Sequence, residues 1–331
     1  MTNKTSNTEK VKEVIELEPF NDEYVYDIGV SDTHPYFFAN DILVHNSCFF
    51  SAWPKIQESD PNPESWTKER FIEYYDQIAE NTNKSFPAFM QRAFNCTEQN
   101  SQIIKAGRET IGDRGIFITK KRYAINNFDK EGKRLDVDGK PGKIKAMGLD
   151  LKRADTPKYI QNFLMDILKM VLAGQEKDVI IQHIRQFKIE LSDKPSWHKG
   201  SPKGVNKLTY YATQEKNSKT GKANMPGHVR AALNWNWLRT VNHDFHSMEI
   251  TDGAKVVVCK LKTNQYGFTS VAYPVDEPHL PEWFTSLPFD DKLMEQLLVE
   301  EKTENLLGVL NWDLRLNCNT ISTVNDLFSF D

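Results

Sequence analysis

The sequence has no long apolar run. Within its 331 residues no hydrophobic stretch approaches the ~20 residues of a membrane span, and the polar start Met1-Thr2-Asn3-Lys4 is unlike a secretory signal. Cysteine is scarce as well. Cys48, Cys96, Cys259 and Cys318 stand far apart with no C-x-x-C pair, so neither a zinc site nor a disulfide framework is indicated. A soluble, cytoplasmic protein with no membrane partner is expected. Charge of one sign is lacking overall, the net being -4, but that average hides a division. Residues 1–100 hold 8 Lys and Arg against 17 Asp and Glu, residues 101–240 hold 28 against 14, and residues 241–331 hold 6 against 15. A basic middle between acidic flanks fits either a surface that neutralises phosphates or a solvated basic face.

What is present is organised around Val44-His45-Asn46-Ser47-Cys48. Upstream the pattern is acidic and β-like; downstream it changes to long helices and basic surface. An Asn followed by Ser has a specific chemistry. The Asn46 amide nitrogen can attack its own carbonyl carbon and release the peptide bond to Ser47. His45 can protonate that bond as general acid, and the Ser47 hydroxyl can accept an acyl group. A surface turn at a strand end is the plainer reading of the tripeptide alone. The flanks add more: residues 24–46, from Tyr24-Val25-Tyr26-Asp27-Ile28 through His34 to Asn46, closely resemble the last two blocks of inteins. That resemblance implies that Asp27 assists the acyl transfers, that His34 helps activate Asn46, and that splicing needs no cofactor. No N-terminal intein half with its own nucleophile is found, so residues 1–46 are expected to be the C-terminal half of a split intein. The other half would come on a second polypeptide.

Taken in order, residues 24–30 read as a strand and residues 36–44 as a hairpin turning at Asn40 and Asp41. Residues 47–52 look strand-like, and Asp60-Pro61-Asn62-Pro63 breaks the chain. Phe71, Ile72, Tyr75 and Ile78 then mark one helical face, and a second helix is expected over residues 86–94. Strands are expected over 102–110 and 115–126, followed by a hairpin through Asp138 and Gly139, with Asp136 and Asp138 as turn residues rather than metal ligands. From residue 149 the pattern is helical. Asp155 or Thr156 can cap a helix with Pro157 in its first turn, and its stripe Ile160, Phe163, Leu164, Ile167, Leu168, Val171 and Leu172 closes before Gly174. A helix at about 176–190, a basic loop over 194–224 and a helix from Met225 follow. His243-x-x-His246 has the spacing of a metal pair, but no third ligand stands nearby.

Lys120-Lys121-Arg122-Tyr123, then Met147-Gly148-Leu149-Asp150 and Thr156-Pro157-Lys158, resemble the palm-to-thumb region of family-B DNA polymerases of T-even-type phages. Three cations beside an aromatic suit a strand that holds primer phosphates while its ring packs on sugar or base. The resemblance implies an α+β fold: a β-rich intein fragment (1–46), the C-terminal part of a palm (47–148), a mostly helical thumb (149–324) and a clamp-binding tail (325–331). It further implies Glu109 as a palm acid, Lys222, His228 and Arg230 as phosphate contacts, and Leu327, Phe328 and Phe330 as docking residues for a phage sliding clamp. Ser47 matches the last Ser of the Tyr-Gly-Asp-Thr-Asp-Ser hairpin, so the catalytic Asp-Thr-Asp is expected on the partner. Those partner aspartates, and no residue of this chain, would hold Mg2+ in the assembled enzyme. Primer-template DNA, dNTP and the N-terminal polymerase half carrying the N-terminal intein half complete the implied partners. The competing expectation is a DNA-binding or processivity subunit that joins the other half without splicing.

Overall fold

The computed structural model describes residues 49–102, 105–119, 121–217 and 224–312, with backbone alone at 36–39, 42–45 and 215–217. The chain divides into two compact units, one reaching Ile111 and the other starting at Gly112.

In the first unit β1 (Tyr36–Ala39) and β2 (Ile42–His45) form the expected antiparallel pair, Tyr36 opposite His45 and Ala39 opposite Ile42, while Asn40 and Asp41 lie outside the described residues. The strand expected over 24–30 lies outside the described residues. Residues 49–52, expected to be strand-like, have no ladder partner among the described residues; the Ala52 N–H donates instead to the Tyr75 hydroxyl at 2.9 Å. Helix α1 (Trp53–Ser59) starts with a proline in its first turn, where the missing N–H costs nothing. Asp60 then organises the turn. It accepts from the Asn62 N–H, from Trp66 Nε1 and from Arg70, both of the last at 2.8 Å, and the Arg70 guanidinium lies 4.1 Å above the Trp66 ring.

Helix α2 (Lys68–Phe94) begins at Thr67, whose Oγ1 accepts from the Arg70 N–H. One continuous helix replaces the two expected. Pro87 removes a single bond to the carbonyl four residues back, while residues 88–93 are mostly strong helix formers that carry the helix onward. A short helix, α3 (Glu98–Ser101), follows. Residues 105–109 are not the expected strand. The Asn83 side chain accepts from the Ala106 N–H at 2.6 Å and donates to its carbonyl at 2.9 Å, so one amide satisfies both groups that a ladder would use.

The second unit starts within β3 (Thr110–Thr119), at Gly112; β3, β4 (Arg122–Lys130), β5 (Lys133–Arg134) and β6 (Lys143–Met147) form an antiparallel sheet in which β4 pairs with all three others. Asp138 and Gly139 make the expected turn at positive φ, and Asp136 is committed to a two-point pairing with Arg134 at 2.8 and 2.9 Å. Next come α4 (Lys158–Ala173) and α5 (Lys177–Ser192). Ile160, Phe163, Leu164, Ile167, Leu168 and Leu172 of α4 are buried against Ile116, Ala124 and Ala146 of the sheet, Ile180 and Ile184 of α5, and Leu298, Val299, Leu306 and Leu307 near the end of the described chain. Each such side chain contributes about 1.5–3 kcal/mol relative to exposure. Asp155 and Thr156 do not cap α4: its N-cap is Pro157, Thr156 Oγ1 accepts from Lys302 at 3.0 Å, and Asp155 pairs with Arg153 and Lys203. Gly174 ends the helix at φ 74°, its N–H and that of Gln175 returning to the Val171 and Met170 carbonyls.

The stretch 194–224, expected as loop, contains β7 (Ser201–Gly204) and α6 (Leu208–Asn217). Asp252 starts α6 from 44 residues away by accepting from the Leu208 N–H. β7, β8 (Lys255–Lys260) and β9 (Ser270–Pro274) form a second antiparallel sheet, against which α7 (Gly227–Val241) packs Val229, Ala232, Trp235 and Leu238. Then α8 (Glu282–Thr285) and α9 (Asp291–Glu295) lead through a wide turn at 296–300 into α10 (Glu301–Leu307). Lys199, with 2% of its side chain exposed, ties this return to the earlier helices: it donates to Glu295 at 2.7 Å and to the Ser192 carbonyl at 3.0 Å. Helices with antiparallel sheets are compatible with the expected α+β class. No helix among the described residues is long and apolar enough to cross a membrane.

Candidate nucleic-acid interface

The pleat of the first sheet sorts its side chains into two faces. Ile116, Ile118, Ala124, Ile144 and Ala146 meet the helical core. The other face carries Tyr123 opposite Met147, Ile125 opposite Lys145 and Asn127 opposite Lys143. The Phe117 ring stacks on Tyr123, centroids 5.9 Å apart and planes at 23°. Phe117 is 50% exposed and Met147 46%, so half of each apolar side chain faces solvent. Rings and a thioether interleaved with lysines form a surface able to pack on sugars or bases while ammonium groups meet phosphates.

Lys121 is exposed at φ 64°, just before β4; Lys120 lies outside the described residues. Arg122 is on the opposite side from Tyr123. Its Nε donates to the Gly148 carbonyl at 3.2 Å, and it lines a small cleft with Leu149, Asp150, Leu164, Lys302 and Leu306. The strand therefore does not bring its cations onto one face with the tyrosine. Gly148 explains part of the Met147-Gly148-Leu149-Asp150 pattern: φ is 64°, and a Cβ there would run into the Lys121 carbonyl.

Beside the cleft, Arg153 meets Asp155 at two points, each 3.0 Å, and Lys203 meets the same carboxylate at 2.8 Å. The Arg153 hydrogen bond foremost, and Lys203 after it, hold the Asp155 carboxyl well below the usual carboxylate range. His228, in the first turn of α7, is shifted below its ordinary value by burial and then by Lys203. Arg230 is half-buried in the same turn, and Lys222 lies outside the described residues.

Glu109 is exposed in the first unit. Its neighbour Arg108 is fixed by Asp76 at 2.5 and 3.2 Å, so α2 holds the segment on which Glu109 sits. Among the described residues no three His, Cys, Asp or Glu side chains converge to hold a metal ion. The 243–246 stretch is a turn built on Asp244, which accepts from His246, Ser247 and Trp283. Of the expected splicing residues His45 is the last of β2, paired in backbone register with Tyr36, while Asp27, His34, Asn46 and Ser47 lie outside the described residues. Leu327, Phe328 and Phe330 lie outside them too. Sequence reading missed Phe117, Lys143 and Lys145. The alternation Ile116-Phe117-Ile118 was the available signal, since it turns Phe117 away from the core-facing pair.

No protein-family model matches the chain. Over 178 residues it is 29% identical to a DNA polymerase of Thermococcus sp. (strain GE8), covering 53% of this chain and 8% of that protein. Over 200 residues it is 28% identical to the DNA-directed DNA polymerase of Escherichia phage RB69, covering 60% and 20%. Over 169 residues it is 29% identical to that of Enterobacteria phage T4, covering 51% and 17%. The chain thus spans a fifth or less of the length of these relatives. Over about half of its residues, it is a homologue of archaeal and T4-like DNA polymerases.

Proposed function

We propose that the chain supplies the C-terminal palm and the thumb of a family-B phage DNA polymerase and is joined to the rest of that enzyme by protein trans-splicing. The observation that carries the reading is the similarity to DNA polymerases, with a sheet face bearing exposed Phe117, Met147 and Lys143 in a stretch that resembles the family's primer-binding strand. Lys121, Tyr123, Lys143 and Lys145 hold the primer-template duplex; Arg122 acts from behind by fixing the turn at Gly148. Mg2+, when bound, neutralises charge on the transferring phosphates. The aspartates that hold it belong to the partner, and Glu109 lends a nearby carboxylate. The tail bearing Leu327, Phe328 and Phe330 docks on a sliding clamp.

Ser47, the first residue after the intein half, attacks the thioester or ester formed at the partner's first intein residue and takes over its acyl group. Asn46 then cyclises to a succinimide, with His45 protonating the departing amine of Ser47. An oxygen-to-nitrogen shift converts the ester into a peptide bond. Asp27 and His34 assist these proton transfers. The test is intact mass after mixing the chain with the N-terminal polymerase half that carries the N-terminal intein half. A ligated product joined at Ser47 and a freed 46-residue fragment are expected, followed by primer extension by the product alone. Asn46→Ala abolishes ligation under this reading. If Asn46→Ala leaves primer extension by the mixture unchanged, the chain is a subunit that joins without splicing.

A further inference from the structure

On α7, Trp235 and Leu238 are 0% and 1% exposed, yet Trp237 between them is 47% exposed. Its indole does not stand alone. It meets Tyr266 at 5.7 Å and Phe268 at 5.5 Å, both edge to face, while Tyr266 and Phe268 stack on each other at 5.7 Å. The edge-to-face contacts brace the indole from the side of the β8–β9 connection. Asn264 builds that connection: its Nδ2 donates to the Lys262 and Phe268 carbonyls, and its Oδ1 accepts from the Tyr266 and Phe268 N–H groups. Asn234, one turn before Trp237, donates to the Ser270 carbonyl at 2.8 Å and lays the end of the connection along the helix.

The segments that build this platform carry charge of one sign in sequence. Residues 225–243 and 254–275, which form it, contain Arg230, Arg239, Lys255, Lys260 and Lys262 and no Asp or Glu, although residues 241–331 as a whole are acidic. Arg230 lies two helical turns before Trp237 on the same side of α7, a rise of about 10 Å, and exposed Lys262 adjoins the stacked rings. Arg239 is drawn to exposed Glu249 at 3.8 Å, and a braced, half-exposed indole with Arg230 and Lys262 nearby suits a ligand that offers both a π-face and negative charge.

We propose that Trp237, braced by Tyr266 and Phe268 and accompanied by Arg230 and Lys262, is a stacking site for unpaired nucleotides of single-stranded DNA. Only an unpaired strand can turn the face of a base towards the indole, because in a duplex those faces are covered by neighbouring bases. The site uses no residue of the first sheet and does not depend on the splicing reading.

The experiment is fluorescence anisotropy of a labelled oligothymidylate, and of a labelled hairpin duplex, titrated with the full chain at two salt concentrations. Trp237→Leu keeps apolar volume without the ring, Trp237→Phe keeps a ring, and Lys262→Glu reverses a charge. Trp237→Leu weakens oligothymidylate binding roughly tenfold. Trp237→Phe retains most of it, Lys262→Glu weakens it and flattens its salt dependence, and duplex binding changes less than twofold in Trp237→Leu. Several results overturn the proposal: unchanged oligothymidylate affinity in Trp237→Leu, an equal loss for duplex and single strand, or no binding by the wild-type chain. Sedimentation provides a further one. If the wild-type chain self-associates, Trp237→Leu does not, and oligothymidylate affinity is unmoved, the platform is an interface between copies.

Discussion

Replacing Lys199 by methionine isolates one buried charge whose surroundings are fully defined. The ammonium is 2% exposed and lies 2.7 Å from Glu295, whose side chain is 19% exposed. At that separation, and at an effective dielectric of about 20, the attraction is about 6 kcal/mol. Desolvation of the ammonium cancels much of it. Asp291 is 42% exposed as a side chain, but its Oδ1, 3.7 Å from the ammonium, is buried without a hydrogen-bond partner, so it adds a second, longer-range attraction that the substitution also removes. Losing the cation leaves the Glu295 carboxylate with the Ser192 hydroxyl at 3.2 Å and leaves the Ser192 carbonyl short of a donor. The expected cost is about 3 kcal/mol. For a unit of this size that lowers Tm by about 6–12 °C. Lys199→Met with Glu295→Leu should recover at least half of the loss, since two apolar side chains of similar volume need no counter-charge. The assay is urea unfolding followed by circular dichroism, with thermal melts alongside. A single variant that loses less than about 1 kcal/mol, or a double variant no better than the single, refutes the account of Lys199 as a buried tie that needs its carboxylate.

Asp155 predicts an acid limb. Because Arg153 and Lys203 depress its carboxyl in the folded chain, the stability it contributes is complete above the unfolded carboxylate range and is lost as pH falls below about 4. Wild type should therefore lose more urea resistance between pH 5 and pH 3 than Asp155→Asn does, and parallel curves for the two would contradict the assignment. Gly148→Ala should destabilise by about 2 kcal/mol or more, from strain at positive φ and from the approach of its Cβ to the Lys121 carbonyl. The same variant should weaken duplex binding, because Lys121 and Arg122 shift together; a urea midpoint equal to wild type would show that the turn relaxes freely.

The strand pair within 36–45, the turn at Asp138 and Gly139, and the stripe of α4 were legible in the sequence because each is set by contacts within a few residues. Period-2 or period-3.6 alternation and turn chemistry decide such elements locally. The misses share an opposite cause. α6 depends on a carboxylate 44 residues downstream, and residues 105–109 give up a ladder for the side chain of Asn83, 23 residues upstream. The two helices expected on either side of residue 86 are one, because the turns before and after Pro87 outweigh the one bond that it removes. For the candidate interface, composition showed the basic strand but not its pleat. Which of Lys121, Arg122 and Tyr123 share a side follows from the pairing of Tyr123 with Met147, and that register is not written in the tetrapeptide.

The first core of the second unit is assembled from two distant stretches of chain, residues 116–191 and residues 298–307, while the second core, residues 205–294, lies wholly between them. This nesting imposes an order on synthesis. As the polypeptide leaves the ribosome, the inner core can close once Met294 has emerged, whereas the outer one still lacks Leu298, Val299, Leu306 and Leu307. N-terminal segments ordinarily fold first during translation; here α4 and α5 must wait, with an apolar flank uncovered, for the last described helix. A nascent chain arrested shortly before residue 298 is therefore expected to expose the buried stripe of α4 to chaperones and proteases, although all of α4 and α5 has already been made.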